Sequence, residues 1–298
     1  MRNDRYTKGS RGSAARQAAD TPRSRKGDVK PKKALGQHFL TDETVAERIA
    51  ATLDPYKDMP VLEVGPGMGV LTKYLISHGH DVKVAEIDGE SIEYLRYHYP
   101  ELAGRILDAD FLKLDLARLY ENGEKFCVIG NYPYNISTQI FFHILDYRDQ
   151  VEVCSGMLQK EVAERLAAPE GTKARGILSV LLQAWYDVEY LFTVDEHVFN
   201  PPPKVKSGVI IMRRNGVEAL DCDERLFKTV VKTTFGQRRK TLRNSLKPLL
   251  PAGAALPDAP VMAMRPEQLS VQQFIELTRM LTALNVQEPA QAPDDMSE

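Results

Sequence analysis

Short apolar runs separated by stretches of helical spacing recur between residues 42 and 212, and this alternation predicts the architecture. Asp42 to Leu53 carries apolar residues at helical intervals, with Thr41 or Asp42 placed as a cap. Val61 to Val64 reads as a strand, Gly69 to Ser77 as a helix, Val82 to Ile87 as a strand and Ser91 to His98 as a helix. Arg105 to Leu107 is a brief strand and Phe126 to Ile129 a buried one, followed by a helix from Ser137 to Leu145. Val151 to Met157 is a strand, Lys160 to Ala167 and Ile177 to Ala184 are helices, and Val188 to Phe192 and Gly208 to Met212 are the last strands. Strands that alternate with helices predict an α/β fold, a mostly parallel Rossmann-like sheet covered on both faces.

The pattern changes after Arg214. Leu226 to Phe235, Arg239 to Leu246 and Val271 to Leu284 read as helices, with no strand between them. This predicts a main domain over 34–214 and a small all-helical domain over 215–286. Residues 1–33, rich in Arg, Lys, Ser, Gly and Ala, and the acidic, Pro-rich 287–298 are expected to be disordered tails.

Composition narrows the class. Of 298 residues 43% are hydrophobic, and no apolar run approaches the ~18–20 residues of a membrane span. The basic N-terminus has no apolar segment after it, which argues against a signal peptide. Cys127, Cys154 and Cys222 are widely spaced, lack metal-ligand partners at finger-like distances, and read as reduced thiols in a cytoplasmic protein that holds no metal. The net charge of -2 conceals segregation. Residues 1–33 hold 11 Lys/Arg against 3 Asp/Glu, residues 34–203 hold 14 against 27, and residues 225–247 hold 8 basic and no acidic side chains. A polyanion touching the tail and the 225–247 segment accounts for both basic blocks, while the acidic middle argues for a directed contact.

Glu63-Val64-Gly65-Pro66-Gly67-Met68-Gly69 joins the first strand of the sheet to its helix, where a doubly wound sheet binds ligands. A dinucleotide fingerprint needs its third glycine three residues after the second; here Gly69 follows Gly67 by two. Pro66 also lacks an N–H for a pyrophosphate. A nucleoside without phosphates therefore fits better than NAD. Glu86 ends the second strand and can accept from both ribose hydroxyls. Asp110, after the third strand, can accept from an adenine amino group, with Ile87 and Phe111 as apolar walls. Gly65, Gly67, Glu86, Ile87 and Asp110 thus outline a nucleoside pocket, and S-adenosylmethionine is the cofactor it implies.

Gly130-Asn131-Tyr132-Pro133-Tyr134-Asn135 follows the buried strand with an amide, a proline-fixed backbone and an aromatic ring. Such a string suits the amino group of a planar base, because a side-chain amide oxygen and a nearby carbonyl both accept from NH2 and a ring can stack. Read alone, it is equally an ordinary strand-end turn.

Across residues 34–284 the chain resembles the KsgA/RsmA family of ribosomal RNA adenine N6,N6-dimethyltransferases. The resemblance is carried by Leu35-Gly36-Gln37-His38-Phe39-Leu40, the Gly65–Gly69 loop, Glu86-Ile87-Asp88, Asp110, Asn131 to Ser137, Phe199-Asn200-Pro201-Pro202-Pro203-Lys204-Val205 and Phe235 to Arg243. The family often has Asn where this chain has His38, and usually Leu where it has Tyr132. By that resemblance the sheet is a class I S-adenosylmethionine-dependent methyltransferase fold. His38, Leu40, Gly65, Glu86, Asp110 and Asn131 fall on cofactor-contact positions.

The exocyclic nitrogen of adenine is a weak nucleophile because its lone pair is delocalised into the ring. Acceptors for its N–H bonds can favour a pyramidal nitrogen, and these are assigned to the Asn131 side-chain oxygen and the Tyr132 carbonyl. Tyr134 is the expected stacking platform for an extruded base and Phe199 the second wall. Arg238, Arg239, Lys240, Arg243 and Lys247, taken as a helical face, are the expected phosphate contacts. The resemblance implies two adjacent adenosines in a hairpin loop near the 3′ end of small-subunit (16S) ribosomal RNA, within the assembling 30S particle, acted on by a monomer. The alternatives are an erythromycin-resistance (Erm) type enzyme acting on large-subunit 23S RNA, and a non-catalytic assembly factor on the same fold.

Overall fold

The computed structural model describes residues 29, 31–32, 35–120 and 123–284. The tails expected at 1–33 and 287–298 lie outside the described residues, apart from Val29, Pro31 and Lys32. Among the described residues nine strands form: β1 (Phe39–Leu40), β2 (Val61–Val64), β3 (Val82–Glu86), β4 (Ile106–Asp108), β5 (Phe126–Asn131), β6 (Val151–Gln159), β7 (Tyr186–Val194), β8 (Phe199–Asn200) and β9 (Ser207–Arg214). Seven make one sheet in the order β4-β3-β2-β5-β6-β9-β7. Its first five strands pair in parallel, while β9 runs antiparallel between β6 and β7. The order reverses at β2, so the crevice between the β2 and β5 ends is where a ligand can enter.

All four residues of β2 are buried, as a strand covered on both faces requires. Alternate residues serve opposite faces. Val61, Val84, Ile129 and Met157 pack with α1 (Glu43–Ala50), α2 (Thr72–Ser77) and α3 (Gly89–His98). Leu62, Val64, Val128 and Ile210 pack with α4 (Ser137–Asp146), α5 (Lys160–Leu166) and α6 (Ile177–Gln183). Each fully buried Leu, Ile or Val contributes about 1.5–3 kcal/mol relative to exposure, and both faces are lined with them. Helix α1 starts where its cap predicts, with the Asp42 side chain accepting from the Val45 N–H at 3.1 Å.

Among the described residues three α-helices follow the sheet: α7 (Glu224–Gly236), α8 (Leu242–Ser245) and α9 (Val271–Ala283). Their apolar faces join the core of the α4–α6 side. Phe227 meets Trp185 edge-on at 6.2 Å between ring centres and Phe274 at 6.5 Å. The helix expected over 239–246 shortens to four residues. Thr241 is extended, the Leu242 N–H donates to Met264 O at 2.8 Å, and Gln237 to Lys240 close a turn instead. The sequence pattern also gave no hint of the β1–β8 pair, two residues each, which sets Phe39 opposite Asn200 and Leu40 opposite Phe199. Two-residue strands have no periodicity to read.

Candidate active site

The loop after β2 turns on Gly65, Gly67 and Gly69, all at positive φ. Gly67 has a second reason to be glycine: a Cβ there would lie 3.0 Å from the Phe39 ring. Its N–H donates to Glu86 Oε2 at 3.1 Å, while the N–H groups of Ile87 and Asp88 donate to Oε1 at 2.9 Å. Glu86 is therefore fixed in direction at the end of β3 and keeps lone pairs for a ligand's hydroxyls. Burial raises its carboxyl pKa, against the lowering by the three backbone donors. Glu63, in β2, is fully buried; burial pushes its carboxyl up to about 8, although the Thr72 hydroxyl donates to it at 2.6 Å.

These groups border a cavity of about 330 Å³, a size suited to a nucleoside-sized ligand. Asp110 lies at its rim and caps the following turn by accepting from the Leu112 N–H at 3.1 Å; its other oxygen is 3.5 Å from the Lys113 ammonium. Ile87 and Phe111 also line the cavity, Ile87 exposed and Phe111 buried. The donor set fits a nucleoside: a buried carboxylate for paired hydroxyls, a rim carboxylate for an amine, apolar walls between.

Asn131 is the last residue of β5, so the strand runs two residues beyond its expected end and carries the amide into the cavity wall. Its Nδ2 donates to the His38 carbonyl at 3.0 Å, leaving Oδ1 free of that contact. Tyr132 is buried, its N–H on Met157 O at 2.9 Å and its hydroxyl on Ser155 O at 2.7 Å. Its side chain is thus committed to the core, although the residue also lines the cavity. Tyr134 donates or accepts at the Ser207 hydroxyl, and one side of its ring faces His38, 5.4 Å centre to centre and 30° from parallel.

One expectation at the cavity changes. Phe199, expected as the second stacking wall, does not line the cavity; it is buried in the core on the α1–α3 side, paired in register with Leu40. The β1–β8 ladder turns its ring inward, and no sequence signal marked that pair. Leu40 does line the cavity. His38, expected at the cofactor, also borders the cavity, but its ring Nδ1 meets Pro201 O at 2.8 Å.

The basic residues do not form one helical face. Arg238 and Arg239 lie in the turn after α7, with Lys240 closing it. The Arg238 guanidinium donates to Lys173 O and sits 3.8 Å from Glu267, which ties it to the loop before α6. Arg243 pairs with Asp258 at 2.8 Å, and Lys240 donates to the Gln237 side chain at 2.9 Å. Arg239 and Lys247 are exposed with no such partner among the described residues. Also among the described residues, no group of three or more His, Cys, Asp or Glu could hold a metal, and no helix is long and apolar enough to cross a membrane.

With this geometry in hand, the comparison with known proteins is direct. The model of the family described as ribosomal RNA adenine dimethylase matches residues 29–283. The chain belongs to that family. A relative named ribosomal RNA small subunit methyltransferase A, from Parabacteroides distasonis, is 67% identical over 252 residues, covering 84% of this chain and 93% of that protein. A solved dimethyladenosine transferase from Plasmodium falciparum shares the fold, with a TM-score of 0.68 at 21% identity over 84% of this chain and 99% of that one. The 23S rRNA methyltransferase ErmE gives a TM-score of 0.60 at 27% identity, over 81% of this chain and 99% of its own. The α/β sheet with helices on both faces is thus the class I methyltransferase architecture that the sequence led us to expect.

One feature of this adenine dimethylase went unassigned in the sequence. Asp88, whose side chain is 1% exposed, accepts from Lys32, from Ser91 Oγ at 3.0 Å and from Gln37 Nε2 at 3.5 Å. Burial pushes its carboxyl up, but the Lys32, Ser91 and Gln37 bonds outweigh that and hold it below the usual range. The segment before β1 is thereby pinned to the start of α3. Asp88 before Gly-Glu-Ser was legible as a helix cap; its long-range partners were not.

Proposed function

We propose that this protein transfers methyl groups from S-adenosylmethionine to the exocyclic amines of two adjacent adenosines in small-subunit ribosomal RNA, giving N6,N6-dimethyladenosine. The observation that carries the reading is Asn131 at the tip of β5: its amide lines the same cavity as Glu86 and Asp110, held by Nδ2 at the His38 carbonyl 3.0 Å away. S-adenosylmethionine supplies an electrophilic methyl group when bound. Glu86 would hold its ribose hydroxyls, Asp110 its adenine amine, and Leu40, Gly65, Gly67, Ile87 and Phe111 its apolar and backbone surroundings.

On the substrate side, the Asn131 Oδ1 and the Tyr132 carbonyl are two acceptors for the target amine. Gripping both N–H bonds turns the nitrogen lone pair out of conjugation and aims it, and this alignment supplies most of the acceleration. No strong base is needed, because the amine proton becomes acidic as the new C–N bond forms. Tyr134, which lines the cavity, offers a stacking surface for the extruded base, worth about 1–3 kcal/mol. Helical residues 215–284 act as the RNA-contacting part, with Arg239 and Lys247 as phosphate contacts and Arg238 tying the helices to the sheet.

Small-subunit RNA is favoured over the large-subunit alternative by the 67% identity to a small-subunit methyltransferase, against 27% to ErmE. A non-catalytic assembly role is disfavoured because the glycine loop, Glu86 and Asn131 are all in place. The test is transfer of labelled methyl groups to undermethylated small and large ribosomal subunits, with the modified nucleotides mapped. Two neighbouring adenines of the small subunit are the expected product, and Asn131→Ala is expected to abolish transfer while RNA binding persists. Labelling of the large subunit alone, or a fully active Asn131→Ala protein, would overturn the reading.

A further inference from the structure

We infer that His38 is a positioning residue for methyl transfer: it sets the Asn131 amide and the Tyr134 ring in place. The inference rests on the function proposed above and names a further residue of the same site. Asn131 has one hydrogen-bonded orientation in this structure. Its contact at 3.0 Å is a main-chain carbonyl, which can only accept, so the NH2 must face His38 and the oxygen must face the other way. A flipped amide would set two oxygens against each other. The His38 carbonyl therefore decides which atom of Asn131 is presented to a base.

What holds that carbonyl is the His38 side chain. The ring Nδ1 lies 2.8 Å from Pro201 O, again a pure acceptor, so the proton sits on Nδ1 and the ring donates. One ring face lies over Tyr134 at 5.4 Å and 30°. The chain on the N-terminal side is confined as well. Gly36 is at φ +63, and a Cβ there would meet the Asn135 side chain at 2.6 Å. His38 thus ties the end of β5, with Asn131, and Tyr134 in the loop after it to Pro201, which lies 163 positions beyond His38 in sequence.

The test uses the full chain, undermethylated small subunits for turnover and the free protein for cofactor binding by calorimetry. His38→Ala is expected to lower kcat by about tenfold or more while the Kd for S-adenosylmethionine changes by less than about threefold. His38→Asn is expected to recover most of the rate, because its side-chain amide can also donate to Pro201 O. Asn131→Asp, which leaves residue 38 untouched but replaces the donor by an oxygen, is expected to lose about as much as Asn131→Ala.

The inference is overturned by cofactor affinity falling in step with kcat in His38→Ala, by a folded but unrescued His38→Asn protein, or by a fully active Asn131→Asp. Should His38→Ala fail to fold, the Asn131→Asp and His38→Asn results still decide it. Full activity of Asn131→Ala would instead sink the proposed reaction itself, so the two failures are distinguishable.

Discussion

Burial of β2 on both faces, with the nearby Glu86 charge, raises the Glu63 carboxyl to about 8 and outweighs the hydrogen bonds it takes from Thr72, so it keeps its proton at neutral pH. In the unfolded chain the same group titrates near the ordinary value of about 4.5, against about 8 in the fold. Between these values the native state binds the extra proton, so stability falls as pH rises through that window and levels off above it. Glu63→Gln removes the effect. Its stability relative to the parent protein is expected to climb between about pH 4.5 and about pH 8, by up to about 1.4 kcal/mol per pH unit, and to level off above. Paired denaturation curves at several pH values check this; a gap independent of pH would mean that Glu63 is ionised in the fold. At this scale the residue types were readable in the sequence, since an acid in a Glu-x-Gly-x-Gly loop stands out. Its protonation state was not, because it depends on the strands on either side.

Among the elements, β5 and β6 explain how the chain accommodates Tyr132 where the resembling family usually has leucine. The ring lies against two glycines on adjacent strands: a Cβ on Gly130 would come within 3.0 Å of it, and one on Gly156 within 2.6 Å of the ring and 2.2 Å of Gly130 O. Gly156 sits at φ +146, which no side-chain-bearing residue adopts readily. Gly156→Ala is therefore expected to destabilise the protein by about 3 kcal/mol or more, since backbone and a buried ring must both move. Chemical denaturation reads this directly, and an unchanged midpoint would mean that the strands can slide apart. Methyl transfer should fall with it, because the Tyr132 carbonyl moves with the ring. The pattern of apolar residues located both strands. That a glycine on one makes room for a tyrosine on the other follows from pairing Gly130 with Gly156, which local periodicity does not contain.

Taken as a whole molecule, the last helices are less separate than the composition break at Arg214 led us to expect. Phe227, Phe274 and their neighbours share one buried cluster with Trp185 and the α4–α6 side of the sheet, and Arg148 bridges to Glu224 at 2.7 Å while lying over Trp185. Ending the chain after Arg214 would bare this apolar face. Residues 1–214 alone are expected to aggregate or to melt without a cooperative transition, as judged by gel filtration and calorimetry; a monomeric fragment with a sharp transition would show that the sheet folds unaided.

Local pattern determined the order of strands and helices, the parallel sheet and the glycine loop at its switch point, because each is written within a window of a few residues. Motif spacing also placed Glu86, Asp110 and Asn131 at successive strand ends. Only the tertiary structure decided what those side chains do. The Asn131 amide is turned by a carbonyl 93 residues earlier, and His38 is held by one 163 residues later. Phe199 is drawn into the core by a two-residue ladder, and Arg238 is diverted from a helix face to a loop carbonyl. Each of these outcomes is a competition between partners distant in the chain, settled by which hydrogen bonds and cavities remain once the sheet has closed.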